Sequence, residues 1–293
     1  MIIDSHMHVW DLQRVSYDWL GPHLPDVNRT ISFDEIAPVL ADLSVEGVLL
    51  VQSADNAEDT RNMLEVAAAH PEILGVVGWV PLENPAETPV HLAKLVQCPE
   101  IVGIRNLIHD RTDPDWALRP AFDDGLTIIE EHGLPFDFVT SGPEAISRLI
   151  TAAGRHPRLM FVLDHLGKPP INAPVRELRR WEDLIAAAAE QPNIAAKVSG
   201  LYPTTGLASA WTVDQVAGIV ETALEAFGAE RLLYGGDWPM SISAGGYRRM
   251  FAALSSIVSA WPAHAREQFW SGTATRIYRL KGTRISGTDP DHR

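Results

Sequence analysis

His6 and His8 stand two residues apart in Asp4-Ser5-His6-Met7-His8, at the end of a short apolar run. On a strand that spacing puts both imidazoles on one face. An imidazole pair is a good start for a zinc-type site; the plainer alternative is two hydrogen-bonded histidines. Near the other end of the chain, Gly235-Gly236-Asp237-Trp238-Pro239 sets a carboxylate at a strand terminus, before a proline that halts the ladder. Such a carboxylate can take a proton from water or bind an ion, or it can close an Asx turn. A third segment, Asp164-His165-Leu166-Gly167-Lys168, carries three more groups. Neighbouring strand residues face opposite ways, so the expectation is His165 pointing inward and Asp164 making a structural contact behind the sheet. Lys168, in the loop, either meets a carboxylate or is solvated.

Arg105 lies inside an apolar run, Gly103-Ile104-Arg105-Asn106. A buried guanidinium needs partners, either substrate oxygens or an internal acid such as Asp137. Arg111 follows in the loop, for substrate or for a surface ion pair. Asp137 and Lys197 are further charges within apolar runs and could pair with each other or with Arg105; for Lys197 the structural role is preferred. The aromatics Trp10, Tyr17, Trp19, Trp79, Tyr202 and Trp238 follow strand candidates. They pack, or Trp79, Tyr202 and Trp238 help to form a sugar-stacking wall. There is no Gly-x-Ser-x-Gly elbow. The single cysteine, Cys98, falls in a helix-to-strand connection and is a poor nucleophile candidate.

These residues need elements to hold them. Strand candidates are Ile2–His8, Val45–Ser53, Ile73–Leu82, Ile101–Ile108, Leu134–Val139, Leu159–Leu166, Ile194–Gly200 and Leu232–Pro239. Most are continuous hydrophobic runs, as in strands covered on both faces. Helices are expected from the Ser32–Glu35 capping box to Leu43, over Glu58–His70, Ala117–His132, Pro143–His156 and Val175–Gln191, and from Thr212 to a stop at Gly228. Two more, about Gly246–Ala260 and Ala263–Leu280, complete the pattern. About eight βα units predict a single-domain (β/α)8 TIM barrel over residues 1–282, with C-terminal helices and a polar tail, 283–293. A doubly wound sheet is the alternative, but no Gly-x-Gly-x-x-Gly follows the first strand. In a barrel the active site lies at the C-terminal strand ends, where these polar residues fall.

The 293 residues carry 24 Lys+Arg against 38 Asp+Glu, a net charge of −14. That balance opposes nucleic-acid and anionic-membrane binding. No apolar run of about eighteen residues is present, and the N-terminus lacks a signal-peptide pattern. The expectation is a cytoplasmic protein acting on a small molecule; the sequence leaves monomer and homo-oligomer both open.

Taken in order, Asp4-Ser5-His6-Met7-His8-Val9-Trp10, Tyr17-Asp18-Trp19-Leu20, Gly103-Ile104-Arg105, Leu163-Asp164-His165-Leu166-Gly167-Lys168-Pro169, Lys197-Val198-Ser199-Gly200, Gly236-Asp237-Trp238-Pro239 and Ala274-Thr275-Arg276-Ile277-Tyr278 resemble the amidohydrolase-2 group of the amidohydrolase superfamily. The sugar-lactonase branch (L-fuconolactonase and L-rhamnonolactonase-like proteins) is the nearest match, with the 2-pyrone-4,6-dicarboxylate lactonases related. The resemblance implies a barrel hydrolase that opens a lactone. It implies His6, His8 and His165 as catalytic histidines, Asp237 as the base that activates water, and Arg105 as a contact to substrate oxygens. Metal-rich members carry a bridging Lys or Glu on the fourth strand and a His on the fifth. Arg105 or Asn106 and Asp137 stand there instead, which argues against two ions. One divalent ion on His6, His8 and Asp237, zinc by type, and a metal-independent site are both open. The rival readings are a pyrone-dicarboxylate lactonase, a zinc-dependent decarboxylase of the same superfamily and, from another class, a non-catalytic binding barrel. Cationic anchors for a doubly charged substrate are limited to Arg105, Arg111 and Lys168, which favours the sugar lactone.

Overall fold

A computed structural model describes residues 1–140, 142–203 and 207–280; the expected tail, 283–293, lies outside the described residues. Eight parallel strands follow one another around one sheet in chain order. They are β1 Ile3–Met7, β2 Gly47–Val51, β3 Ile73–Gly78, β4 Ile101–Asn106, β5 Phe136–Phe138, β6 Phe161–Leu163, β7 Ile194–Val198 and β8 Leu232–Tyr234. The ring closes just past β8: the Asp237 amide donates to the His6 carbonyl at 2.9 Å and the His8 amide to the Trp238 carbonyl at 2.8 Å. This is a (β/α)8 barrel. Around it lie α1 Ala37–Asp42, α2 Ala57–Ala69, α3 Thr88–Leu95, α4 Pro120–His132, α5 Ile146–Arg155, α6 Val175–Ala189, α7 Val213–Phe227 and α8 Tyr247–Ser259. Two short helices, α9 Ala263–Glu267 and α10 Thr273–Ile277, are joined by a π-helical turn, where the sequence pattern predicts one continuous helix. No described helix is long and apolar enough to cross a membrane.

Helix α3 is absent from the sequence expectation. Pro89 sits in its first turn, where no intrahelical N–H donor is needed. The strands of the second half are shorter than the apolar runs suggest, because each run continues past the ladder into the turns at the barrel mouth. Those turns carry the chemistry.

The interior divides into two apolar regions. One lies between strands and outer helices; the other fills the barrel lumen with Ile3, Leu49, Val51, Val77, Val102, Val162, Ala195 and Leu233, joined by Ala274, Ile277, Tyr278 and Leu280 of the C-terminal segment. The segment 274–280 thus packs against the lumen and plugs it. At the closing seam, Asp4 accepts from the Gly236 and His6 amides at 2.9 and 3.0 Å and from the Tyr247 hydroxyl at 2.8 Å. A Cβ on Gly236 would stand 2.1 Å from the Tyr247 ring and 2.5 Å from Asp4 Oδ2. Gly236→Ala is therefore expected to cost about 2 kcal/mol, read by urea denaturation; a change within 0.5 kcal/mol would show that the seam yields freely.

Candidate active site

The β1 histidines reach the mouth through a bulge. The register steps from Asp4↔Val48 to Met7↔Leu50, so β1 spends one more residue than β2. Ile3 faces the lumen and Asp4 the outer helix α8; the extra residue falls between Asp4 and Met7, where the Ser5 hydroxyl donates to the Tyr234 carbonyl at 2.6 Å. Past Ser5, His6 and His8 both turn inward. Their rings meet edge-on, with centroids 4.8 Å apart.

Asp164 corrects the sequence expectation. It does not lie behind the sheet. It keeps the inward phase of Val162, two residues earlier, and is fully buried beneath His6. His165, out of phase by strand alternation, enters the mouth as well, because the strand has ended at Leu163. The backbone at His165 and Leu166 is left-handed, with φ of 56° and 49°, and this swings the ring back over the barrel. Alternation held only inside the ladder. Leaving it let both neighbours face the same space.

Four charges therefore form one buried layer under the mouth. Lys197 hydrogen-bonds Asp137 and lies 3.2 Å from Asp164 Oδ1. Arg105 Nε lies 3.4 Å from Asp164 Oδ2, so Arg105 pairs with Asp164 while Asp137 pairs with Lys197. Tyr278 of the C-terminal plug donates its hydroxyl to Asp137 Oδ1 at 2.7 Å. Two cations face two carboxylates, and the layer is neutral. Burial works against the charge of Asp164, but the Lys197 and Arg105 cations beside it hold this carboxyl well below the usual range.

Above the layer, three imidazoles gather around Asp237. His6 Nε2 and His8 Nε2 lie 3.8 Å from Asp237 Oδ1, and His165 Nε2 lies 4.0 Å from it. His8 Nδ1–H donates to the Val51 carbonyl at 2.7 Å, and His165 Nδ1 meets the Ser199 hydroxyl at 2.9 Å. His6 Nδ1 lies 3.2 Å from Asp164, and its Nε2 accepts from Arg105 Nη1 at 3.3 Å. Burial pushes all three imidazoles down, His8 to about 3, with Arg105 adding repulsion there. They are neutral at physiological pH. Asp237 is pushed up to about 7 by burial, against the lowering effect of a hydrogen bond from the Tyr202 hydroxyl at 2.5 Å and of Arg105 and Lys168. Gly200 passes so close that a Cβ there would be 2.7 Å from His165 Nδ1.

The site opens into a cavity of about 440 Å³ lined by His8, His165, Asp237, Arg105, Lys168 and Tyr202, with Trp19 and His23 from the long loop after β1. Trp19 is fixed there by donating to the Ser53 carbonyl at 2.6 Å. The other expected binding residues lie elsewhere. Trp79 packs against His91 of α3, with its amide on Thr60 of α2. Trp238 is buried in the core. Arg111 pairs with Asp55 at 2.6 Å, stacks on Trp116 and lines an adjoining chamber of about 390 Å³ that meets the first at His109 and Val139. Sequence reading passed over Ser199, His23 and His109. Ser199 could have been found, since it is two residues on from Lys197 and shares its inward phase.

Residues 3–280 match the amidohydrolase family model described as Amidohydrolase. The chain belongs to that family. It is 32% identical to an L-fucono-1,5-lactonase of Burkholderia ambifaria over 95% of both chains. It is 28% identical to an L-fucono-1,5-lactonase of Burkholderia multivorans, over 95% of this chain and 96% of that one. A crystal structure of a Burkholderia multivorans amidohydrolase with bound zinc superposes with a TM-score of 0.88 at 26% identity, covering 96% of this chain and 99% of that one.

That relative's crystal structure holds zinc, and the donors gathered around Asp237 here are of a kind that suits an ion. His6, His165 and Asp237 each offer a ligand atom within 4.8 Å of the others, and His8 Nε2 is aimed at the same carboxylate oxygen. The Nδ1 atoms of His8 and His165 are held by Val51 and Ser199, which fixes those two rings with Nε2 toward the centre, as outer hydrogen bonds do for metal-binding histidines. Neutral His6 has one lone pair, for which Arg105 at Nε2 and Lys197 at Nδ1 compete.

Proposed function

We propose that this barrel hydrolyses a sugar lactone by water attack, with Asp237 as the base. One observation carries the reading: a buried carboxylate with its pKa near neutrality stands at a cavity floor, ringed by neutral imidazoles and beside a guanidinium. A base poised near the working pH is the effective one. Asp237 accepts a proton from a water at the lactone carbonyl; Tyr202 holds the carboxylate in line. Arg105 and the histidines line the space where the carbonyl oxygen gains charge, and Arg105 stabilises it. A ring ester is an activated substrate, so one base and one positive charge can suffice. The two lactonase relatives support this reading, and so does the charge arrangement. Arg111 is matched by Asp55 and lines the adjoining chamber, so the cavity suits a neutral polyol ring better than a dicarboxylate.

Acid release from L-fucono-1,5-lactone and related aldonolactones tests the proposal. Turnover of a pyrone dicarboxylate alone, or carbon dioxide release from an aromatic acid alone, would replace it with one of its rivals.

In the metal-free protein, activity needs the deprotonated carboxylate, so kcat/KM should rise as pH passes through about 7. The Tyr202 hydrogen bond lowers the Asp237 pKa. Tyr202→Phe should therefore move the rise upward by about one pH unit, the equivalent of one hydrogen bond to a charged group. A profile that stays in place would remove Tyr202 from this role.

His6, His8, His165 and Asp237 are the residues that would hold a divalent ion, and zinc fits their nitrogen and oxygen donors. When bound, such an ion supplies Lewis-acid polarisation of the carbonyl. Zinc at a hundredfold excess over its Kd should stabilise the wild-type fold by about 2.7 kcal/mol. That gain, measured as a Tm shift, should largely disappear in His8→Ala/His165→Ala; an unchanged shift would place the ion elsewhere.

A further inference from the structure

We propose that the Lys197 ammonium is a built-in cation occupying a second, deeper ligand pocket, so that the barrel accepts at most one exchangeable ion. His6, Asp137 and Asp164 form a buried group whose ligand atoms all lie within 4.8 Å of one another, separate from the group that includes Asp237. Two carboxylates and an imidazole are donors of the kind that hold divalent ions. The Lys197 Nζ reaches all three residues: it hydrogen-bonds Asp137, lies 3.2 Å from Asp164 Oδ1 and lies 3.1 Å from His6 Nδ1. Neither Lys197, Asp137 nor Asp164 has any exposed surface.

The two pockets lie on either side of one ring, whose single lone pair serves one of them at a time. His6 turns Nε2 up toward Asp237 and Nδ1 down toward Asp164 and Lys197. The upper position opens to the cavity, so its occupant can exchange. The lower one is filled by a charge tethered to β7 through its own side chain, and it cannot dissociate. A divalent ion could enter only by expelling the ammonium into the surrounding lumen, which is lined by Val162, Ala195 and Leu233, and an unpaired ammonium there is strongly disfavoured. Lys197 thus gives the deep carboxylates a permanent counter-charge, whatever the supply of metal, and keeps them from drawing an ion away from the upper position.

Metal stoichiometry tests this independently of any lactone assay. Wild type saturated with zinc, freed of excess by gel filtration and analysed by elemental mass spectrometry should retain no more than one ion per chain. His8→Ala/Asp237→Asn, which removes two upper donors, should retain less than wild type. Adding Lys197→Ala to that background should restore one tightly bound ion, and adding Asp137→Asn as well should abolish it again. If Lys197→Ala unfolds the protein, zinc or manganese should restore its cooperative thermal transition. Two ions in wild type, no gain in a folded Lys197→Ala protein, or failure of both metals to restore an unfolded one would each overturn the proposal.

Discussion

Asp237→Asn is expected to lower kcat/KM for an aldonolactone by about 10³-fold while leaving the far-UV spectrum and the unfolding transition in place. The magnitude is that of losing a general base positioned at the reacting water. The amide retains the shape of the carboxylate and can still accept from Tyr202, so the turn before Trp238 keeps its hydrogen bonds. What it loses is proton affinity. Burial had raised that affinity to about 7, and an amide cannot replace it. The loss should fall mainly on kcat, because the ring is bound by other groups lining the cavity. A variant within tenfold of wild type would overturn the base assignment and point to one of the neutral imidazoles. Unfolding is the uninformative failure to guard against, so the two measurements belong together.

Asp164→Asn should be the most destabilising conservative change in the site, at about 3–5 kcal/mol, because it leaves buried cations without their shared counter-charge. For a chain of this size that corresponds to a fall in Tm on the order of 10 °C. Arg105 loses its carboxylate and Lys197 keeps only Asp137. His6 loses the oxygen at 3.2 Å from Nδ1 that fixes its ring, so activity should also fall. The layer's neutrality gives a sharper test. Asp164→Asn/Lys197→Met removes one charge of each sign, and its cost should be smaller than the sum of the two single changes by more than 1 kcal/mol. Strict additivity would show that the four charges act as two separate pairs.

Much of the barrel is legible in the sequence, because eight buried apolar runs in one chain leave few other ways to cover both faces of a parallel sheet. His6, His8, Arg105 and Asp237 are legible as polar residues at the ends of such runs. The misreadings share one cause. Alternation predicts facing only while the ladder lasts, and β6 stops at Leu163. Reading parity through Asp164 and His165 assigned Asp164 to the wrong side. The bulge between Asp4 and Met7 leaves no trace in hydrophobicity, although it sets which β1 residues face the mouth. The aromatics fail differently: Trp79 and Trp238 follow strands as expected, but loop direction beyond a strand end depends on long-range packing that local sequence does not encode. Helix α3 lies outside the expected helices, although Pro89 in its first turn is compatible with it.

The C-terminal plug also bears on how the protein is made. Tyr278 and its neighbours Ala274, Ile277 and Leu280 are translated after every strand of the barrel, yet they pack in the lumen, and Tyr278 reaches Asp137. A nascent chain still held in the ribosome by its last few dozen residues has all eight strands outside or nearly so, but an open lower end and a charge layer missing one donor. The ring can form before the final helices emerge; the settled interior cannot. Ribosomes stalled just before this segment should therefore display a protease-sensitive barrel, and the emergence of residues 274–280 should harden it in one late step.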